Sequence, residues 1–170
     1  MRKVVIIDDE KDILEIMHIN LSSFFDKRVC FEVYSNPCEF IEMARLSEID
    51  IIISDINMPF LSGIELYKLV RSAGFNKSFI FHTGYVKDYL KDLMEIKDCY
   101  YFTKPTNFDY LFQTIENIFM IDDKVDFLLN ILLSNVSQLT QDDFEKKYNL
   151  YKKLVSSLKI RQLSVEKLAS

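Results

Sequence analysis

The 170-residue chain has no tryptophan, only three glycines, three prolines and three cysteines, and just two histidines. Each scarcity excludes something. Cys30, Cys38 and Cys99 are odd in number and widely spaced, and none has a nearby Cys or His at metal-ligand spacing. Neither a disulfide framework nor a zinc site is expected, and the cysteines read as reduced packing residues. Nothing in the first 25 residues resembles a signal peptide or a span, because a basic start is followed by only four consecutive apolar residues and then three acids. Membrane insertion is therefore not expected, and a cytoplasmic location is the default. All glycines and prolines lie at or before Pro105, which leaves residues 122–170 free of helix breakers. A net charge of -5 argues against a chain that coats nucleic acid.

What is present is a globular composition, 49% hydrophobic and 28% charged, in a chain long enough for one domain and an appendage. Four apolar runs stand out: Val4 to Ile7, Ile51 to Ile53, Phe79 to Phe81, and Cys99 to Phe102. Buried parallel strands read as continuous apolar runs of this kind. A further strand is expected over Val29 to Tyr34, followed by Asn36-Pro37-Cys38-Glu39, where Asn36 suits a helix cap and Pro37 the first helical position. Helical spacing links Ile13, Ile16, Met17, Leu21 and Phe24. It recurs over Ile64, Leu66, Tyr67, Leu69 and Val70, over Val86, Leu90, Leu93 and Met94, and over Phe108, Leu111, Phe112, Ile115 and Phe119. Strands alternating with helices predict an α/β fold, a doubly wound parallel sheet with helices on both faces, over residues 1–121.

Residues 122–170 have a pattern of their own. Val125, Leu129, Leu132, Val136 and Leu139 are spaced alternately by four and three, as are Phe144, Tyr148, Tyr151, Val155 and Leu158. Thr140 suits the N-cap of the second stripe, so the simplest arrangement is an α-helical hairpin extension. Leu128 and Ile131 widen the first stripe beyond what a hairpin buries alone. The excess packs either on the chain's own main domain or in a homodimer forming a four-helix bundle through these C-terminal helices.

The polar residues that end the apolar runs carry the chemistry. Asp8 and Asp9 follow the first strand, Asp55 the third, Thr83 the fourth, and Lys104 the fifth. Open α/β sheets place functional groups beyond the carboxyl ends of their strands. Three carboxylates crowded at one edge need a cation, and hard oxygen ligands without His or Cys point to Mg²⁺. His82 adjoins Thr83, but strand alternation turns it to the other side of the sheet, which argues for a core or helix-covered histidine over a general base.

These residues together resemble a bacterial response-regulator receiver domain of two-component signalling. The acidic pair Asp8 and Asp9, Asp55 within Asp-x-x-Met-Pro, Thr83 followed by Gly84, Tyr101 and Lys104-Pro105 stand where that family has them. The resemblance covers roughly residues 1–121 and implies a flavodoxin-like five-stranded sheet of order 2-1-3-4-5. It implies phosphoryl transfer from a sensor histidine kinase or phosphotransfer protein to Asp55. In that scheme Asp9, Asp55 and the carbonyl of Asn57 bind Mg²⁺ directly, and Asp8 acts through water. Lys104 stabilises and senses the phosphoryl group, while Thr83 and Tyr101 form the switch. Asn57 and Tyr85 flank the site where they can admit or shield water. Such a domain is no enzyme on other substrates, since it catalyses only its own phosphorylation and dephosphorylation.

The resemblance does not extend to the tail. A winged helix or compact helix-turn-helix needs turns that favour Gly, and residues 122–170 hold none, with eight basic against seven acidic side chains. With His18 and His82 as the only histidines, a histidine phosphotransfer module is excluded there too. DNA binding is thus not the expected output, although a transcriptional regulator acting through this tail or through a further domain is the alternative reading. A Mg²⁺-dependent phosphohydrolase is a third.

Overall fold

The structure is a computed structural model, and it describes residues 1–84, 89, 93, 95, 96, 98–134, 145, 146 and 149, the side chains of 128–134 excepted. Five strands, β1 (Arg2–Ile7), β2 (Val29–Tyr34), β3 (Ile51–Ser54), β4 (Ser78–Thr83) and β5 (Tyr100–Thr103), form one all-parallel sheet of order β2-β1-β3-β4-β5. The connections contain α1 (Lys11–Phe25), α2 (Pro37–Met43) and α3 (Gly63–Ser72), and α4 (Phe108–Ser134) follows β5. This is the expected doubly wound, flavodoxin-like topology. By contact the chain divides into two compact units, Met1–Phe112 and Gln113–Ser170.

The central strands have continuous apolar stretches because both of their faces are covered. Val4 to Ile7 in β1, Ile51 to Ile53 in β3 and Phe79 to Phe81 in β4 are all buried. On one side Val5, Ile7, Ile52, Phe79 and Phe81 pack with Phe40 of α2 and with Ile64, Leu66 and Val70 of α3. At roughly 1.5–3 kcal/mol for each fully buried large apolar side chain, this cluster is a main source of stability. Local signals start the helices as the sequence implies: the Asn36 side chain accepts from the Cys38 N–H at 2.9 Å, and Pro37 opens α2. The start of α3 carries a capping box between Ser62 and Glu65 that the reading above did not single out.

Two helices depart from expectation. In α1 the buried face is Leu14, Met17, Leu21 and Phe25, while Ile16 and Phe24 are 49% and 42% exposed. The stripe is rotated from the expected one because Phe25 turns inward to meet Phe31 of β2 and Phe112, leaving Phe24 to stack on Phe112 from the rim. In α4 the helix passes through residues 121 and 122 without a break and is described as far as Ser134, since nothing in that stretch interrupts helical hydrogen bonding. The helix expected over Val86 to Met94 lies largely outside the described residues, as do the second tail helix, the hairpin turn and Tyr85. No described helix is long and apolar enough to cross a membrane.

At the amino end of the sheet, Asp50 fastens three segments. Its carboxylate lies 3.0 Å from Arg2, 2.7 Å from Lys77 and 2.8 Å from the Lys3 N–H. Burial pushes its pKa up, but these three donors outweigh it and hold the carboxyl below its usual range. This end is neutralised by its own partners, and the opposite end is not.

Candidate functional site

At the carboxyl end of the sheet, β1 and β3 run side by side with Ile7 opposite Ser54. Backbone bonds continue the pairing one residue further: Asp55 N donates to Ile7 O at 2.9 Å, and Asp8 N to Tyr34 O at 3.1 Å. Asp8 and Asp55 are thereby brought together at 1% and 4% exposure. Asp9 stays exposed, and one oxygen from each of the three carboxylates falls within 4.8 Å of the others.

Asp55 is held from several directions. Its Oδ1 accepts from the Ile56 N–H at 2.7 Å, and the Ser54 hydroxyl donates to its carbonyl oxygen at 2.7 Å. Behind the turn, Gly63 N donates to Ile56 O at 2.9 Å and brings the start of α3 against the Asp55 peptide. A β-carbon on Gly63 would overlap the Asp55 carbonyl oxygen and stand 3.0 Å from both the Asp55 carbonyl carbon and Ile56 Cα. Only glycine allows this approach.

The cation of the site comes from the residue just after β5. Lys104 N donates to Thr83 O at 3.0 Å, so β4 and β5 stay paired up to the lysine. Its ammonium lies 2.9 Å from Asp8 Oδ2, 3.2 Å from Glu10 Oε1 and 3.5 Å from Asp55 Oδ2. The contact with Asp8 is an ion pair to a buried carboxylate oxygen. Burial pushes the Asp8 carboxyl up to about 6, with Asp55 adding to the effect and Lys104 and the Glu10 N–H offsetting part of it. Burial pulls the Lys104 ammonium down, but Asp8, Asp55 and Glu10 outweigh it and raise its pKa. One ammonium thus faces several carboxylates, one of which burial makes harder to ionise. An all-oxygen set of three converging carboxylates with one ammonium among them fits a hard divalent cation.

The remaining predicted residues are placed as follows. Thr83 is fully buried at the end of β4, and Tyr101 of β5 is 43% exposed. Asn57 is exposed, its Oδ1 3.5 Å from the Tyr89 hydroxyl. His82 is buried, as strand alternation implies, and its Nε2 lies 2.6 Å from Thr106 Oγ1. Burial lowers its pKa to about 4, with Lys104 contributing in the same direction, so the ring is neutral at pH 7. Sequence reasoning overlooked Glu10 as a Lys104 partner, Thr106 as the partner of His82, and Gly63. The signal for Gly63 was present, since it is one of only three glycines and follows the Asp55 loop.

The model of the response regulator receiver domain matches residues 4–116. The chain belongs to this family. Among curated relatives of the receiver domain is the transcriptional regulatory protein NatR of Bacillus subtilis, 33% identical over 85 residues, which are 50% of this chain and 36% of that protein. The chain thus matches only about a third of that regulator's length. Solved receivers have the same fold. TrrA of Thermotoga maritima, determined in complex with Mg(2+)-BeF, is 26% identical with a TM-score of 0.59, over 69% of this chain and 99% of that one. A receiver domain protein from Clostridium thermocellum is 25% identical with a TM-score of 0.58, over 69% and 94%. Chemotaxis protein CheY4 of Vibrio cholerae, 24% identical with a TM-score of 0.61, shares the fold over 69% and 98%.

Proposed function

We propose that this receiver domain accepts a phosphoryl group on Asp55 from a phosphohistidine of a sensor kinase or phosphotransfer protein, with Mg²⁺ held directly by Asp9, Asp55 and the carbonyl of Asn57 and by Asp8 through water. The observation that carries the reading is the convergence of a buried acceptor carboxylate, two further acids and one ammonium at a single sheet edge. Asp55 Oδ1 is occupied by the Ile56 N–H, so Oδ2, on the Lys104 side, is the oxygen that attacks phosphorus. As the O–P bond forms, the P–N bond to the donor imidazole breaks and its electron pair stays on the leaving nitrogen. Lys104 stabilises charge on the phosphoryl oxygens, and the burial of Asp8 and Asp55 limits the solvent screening of that interaction. Bound Mg²⁺ supplies the positive charge that lets nucleophile and phosphoryl group approach each other. Thr83 then donates its hydroxyl to the new anion, and Tyr101 moves from its exposed position on β5, which changes the face available to partners.

The experiment is intact mass after incubation with acetyl phosphate and Mg²⁺, beside an Asp55→Ala control. One phosphoryl group is expected, absent in the control and without Mg²⁺; no addition to the wild-type chain would refute the reading. A signalling switch in the cytoplasm follows from it, not turnover of phosphate esters. For the tail, dimerisation or partner docking is the reading its apolar stripes support, and truncation at residue 121 should convert a dimer to a monomer in sedimentation. Transcriptional output is a second reading, favoured by the description of the Bacillus subtilis relative. A salt-dependent mobility shift with duplex DNA tests it.

A further inference from the structure

His82 is 3% exposed, yet the phosphoryl chemistry proposed above gives it no task. Its neighbour Thr83 turns to the opposite side of the sheet, so two successive residues of β4 act in two directions. The carbonyl of Thr83 accepts from Lys104 N at 3.0 Å, and His82 Nε2 hydrogen-bonds Thr106 Oγ1 at 2.6 Å. Lys104 and Thr106 are two residues apart in the segment between β5 and α4. The lysine is therefore held on one side through its own backbone and on the other through a side-chain bond just beyond Pro105. A lysine stem has four flexible torsions, so its aim depends on how firmly its α-carbon is set. That aim matters here, because the ammonium must serve oxygens at 2.9, 3.2 and 3.5 Å on three different residues.

From this geometry we infer that His82 and Thr106 are positioning residues for Lys104, a half-buried clasp that fixes the lysine-bearing loop so that the ammonium meets the Asp55 phosphoryl group. The inference rests on the phosphoacceptor reading of Asp55. A neutral imidazole suits the role, since it makes the bond without adding a second positive charge beside Lys104. Loss of the clasp leaves the sheet and the acids in place but lets the loop wander. Small displacements of a positioned group are costly in rate, by up to about a hundredfold for 1 Å.

The test uses the full chain, acetyl phosphate and Mg²⁺, with the initial rate of phosphoryl incorporation read by mass. Thr106→Val keeps the shape and removes the hydroxyl; it is expected to slow incorporation about tenfold, and Thr106→Ser to restore it to within about twofold. The discriminating readout is the same Thr106→Val change made in a Lys104→Ala background, where it should cause no further loss, because two residues acting through one group are not additive. If Lys104→Ala incorporates too slowly to measure, beryllofluoride affinity by titration calorimetry gives the same comparison. Thr106→Val at the wild-type rate overturns the inference while leaving the phosphoacceptor reading intact. An equal loss in both backgrounds also overturns it, as the pair would then serve the fold at large. A wild-type chain that takes up no phosphoryl group overturns both.

Discussion

Replacing Gly63 by alanine tests how rigidly the Asp55 turn is built. The added β-carbon meets backbone, the Asp55 carbonyl group and Ile56 Cα, not a side chain that can rotate away. To make room, either the first turn of α3 must lift or the Asp55 peptide must shift. Overpacking of this kind costs roughly 1–3 kcal/mol. Weakening the bond from Gly63 N to Ile56 O adds about 1 kcal/mol. The better helix propensity of alanine returns up to about 1 kcal/mol. The net expectation is a loss of about 2 kcal/mol in urea denaturation, with a fall in Tm of roughly 4–8 °C for a chain of this size. Phosphoryl incorporation should fall as well, because the carboxylate moves with its peptide. Gly84→Ala is the control, since a β-carbon there meets nothing within 4 Å among the described residues and should change stability by less than about 0.5 kcal/mol. A Gly63→Ala protein as stable and as reactive as the wild type would refute the argument that this close approach is fixed.

Three further outcomes follow from single residues. The Asp8 carboxyl is raised to about 6, so its ionisation opposes folding: its contribution is most favourable below the unfolded value of 3.8 and is lost as pH rises through 6. Asp8→Asn should therefore stabilise the metal-free protein by about 2 kcal/mol at pH 7.5 while reducing the Tm gain on adding Mg²⁺; destabilisation would contradict this. His82 is lowered to about 4 from 6.5, so its contribution is full above the unfolded value and is lost as pH falls toward 4. That predicts an acid loss of about 3 kcal/mol, and His82→Gln should flatten the profile between pH 6.5 and 4. Phe60 is 91% exposed with φ of 68°, at the centre of a turn in which Leu61 N donates to Pro59 O at 2.8 Å. Removing that strain, Phe60→Gly should raise stability by about 1 kcal/mol in urea, and an unchanged midpoint would argue against it.

The strands were legible because a buried parallel sheet makes an unusually direct demand on sequence: Val4 to Ile7 and Ile51 to Ile53 have no polar face to show. The candidate residues stood out for a related reason, since Asp8, Asp55 and Lys104 lie within two positions of where apolar runs stop. The face of α1 was misread because Phe24 and Phe25 fit helical stripes equally well, and only the position of Phe112, far along the chain, decides between them. The continuity of α4 was hidden by assigning its two apolar stripes to separate helices. The bond from His82 to Thr106 could not be read at all, because alternation says which side a residue faces but not what waits there.

The three carboxylates around Lys104 bear on what a phosphoryl signal can consist of. An ammonium already shared among Asp8, Glu10 and Asp55 cannot be summoned from a distance by a new anion; it can only change hands. On the proposed reading, phosphorylation is then an exchange of counter-ions, and its first structural effect is a loss at the residues that give the lysine up. Glu10 immediately precedes α1, so that loss reaches a helix that carries neither switch residue. The message would be written partly in which acid is left without a partner.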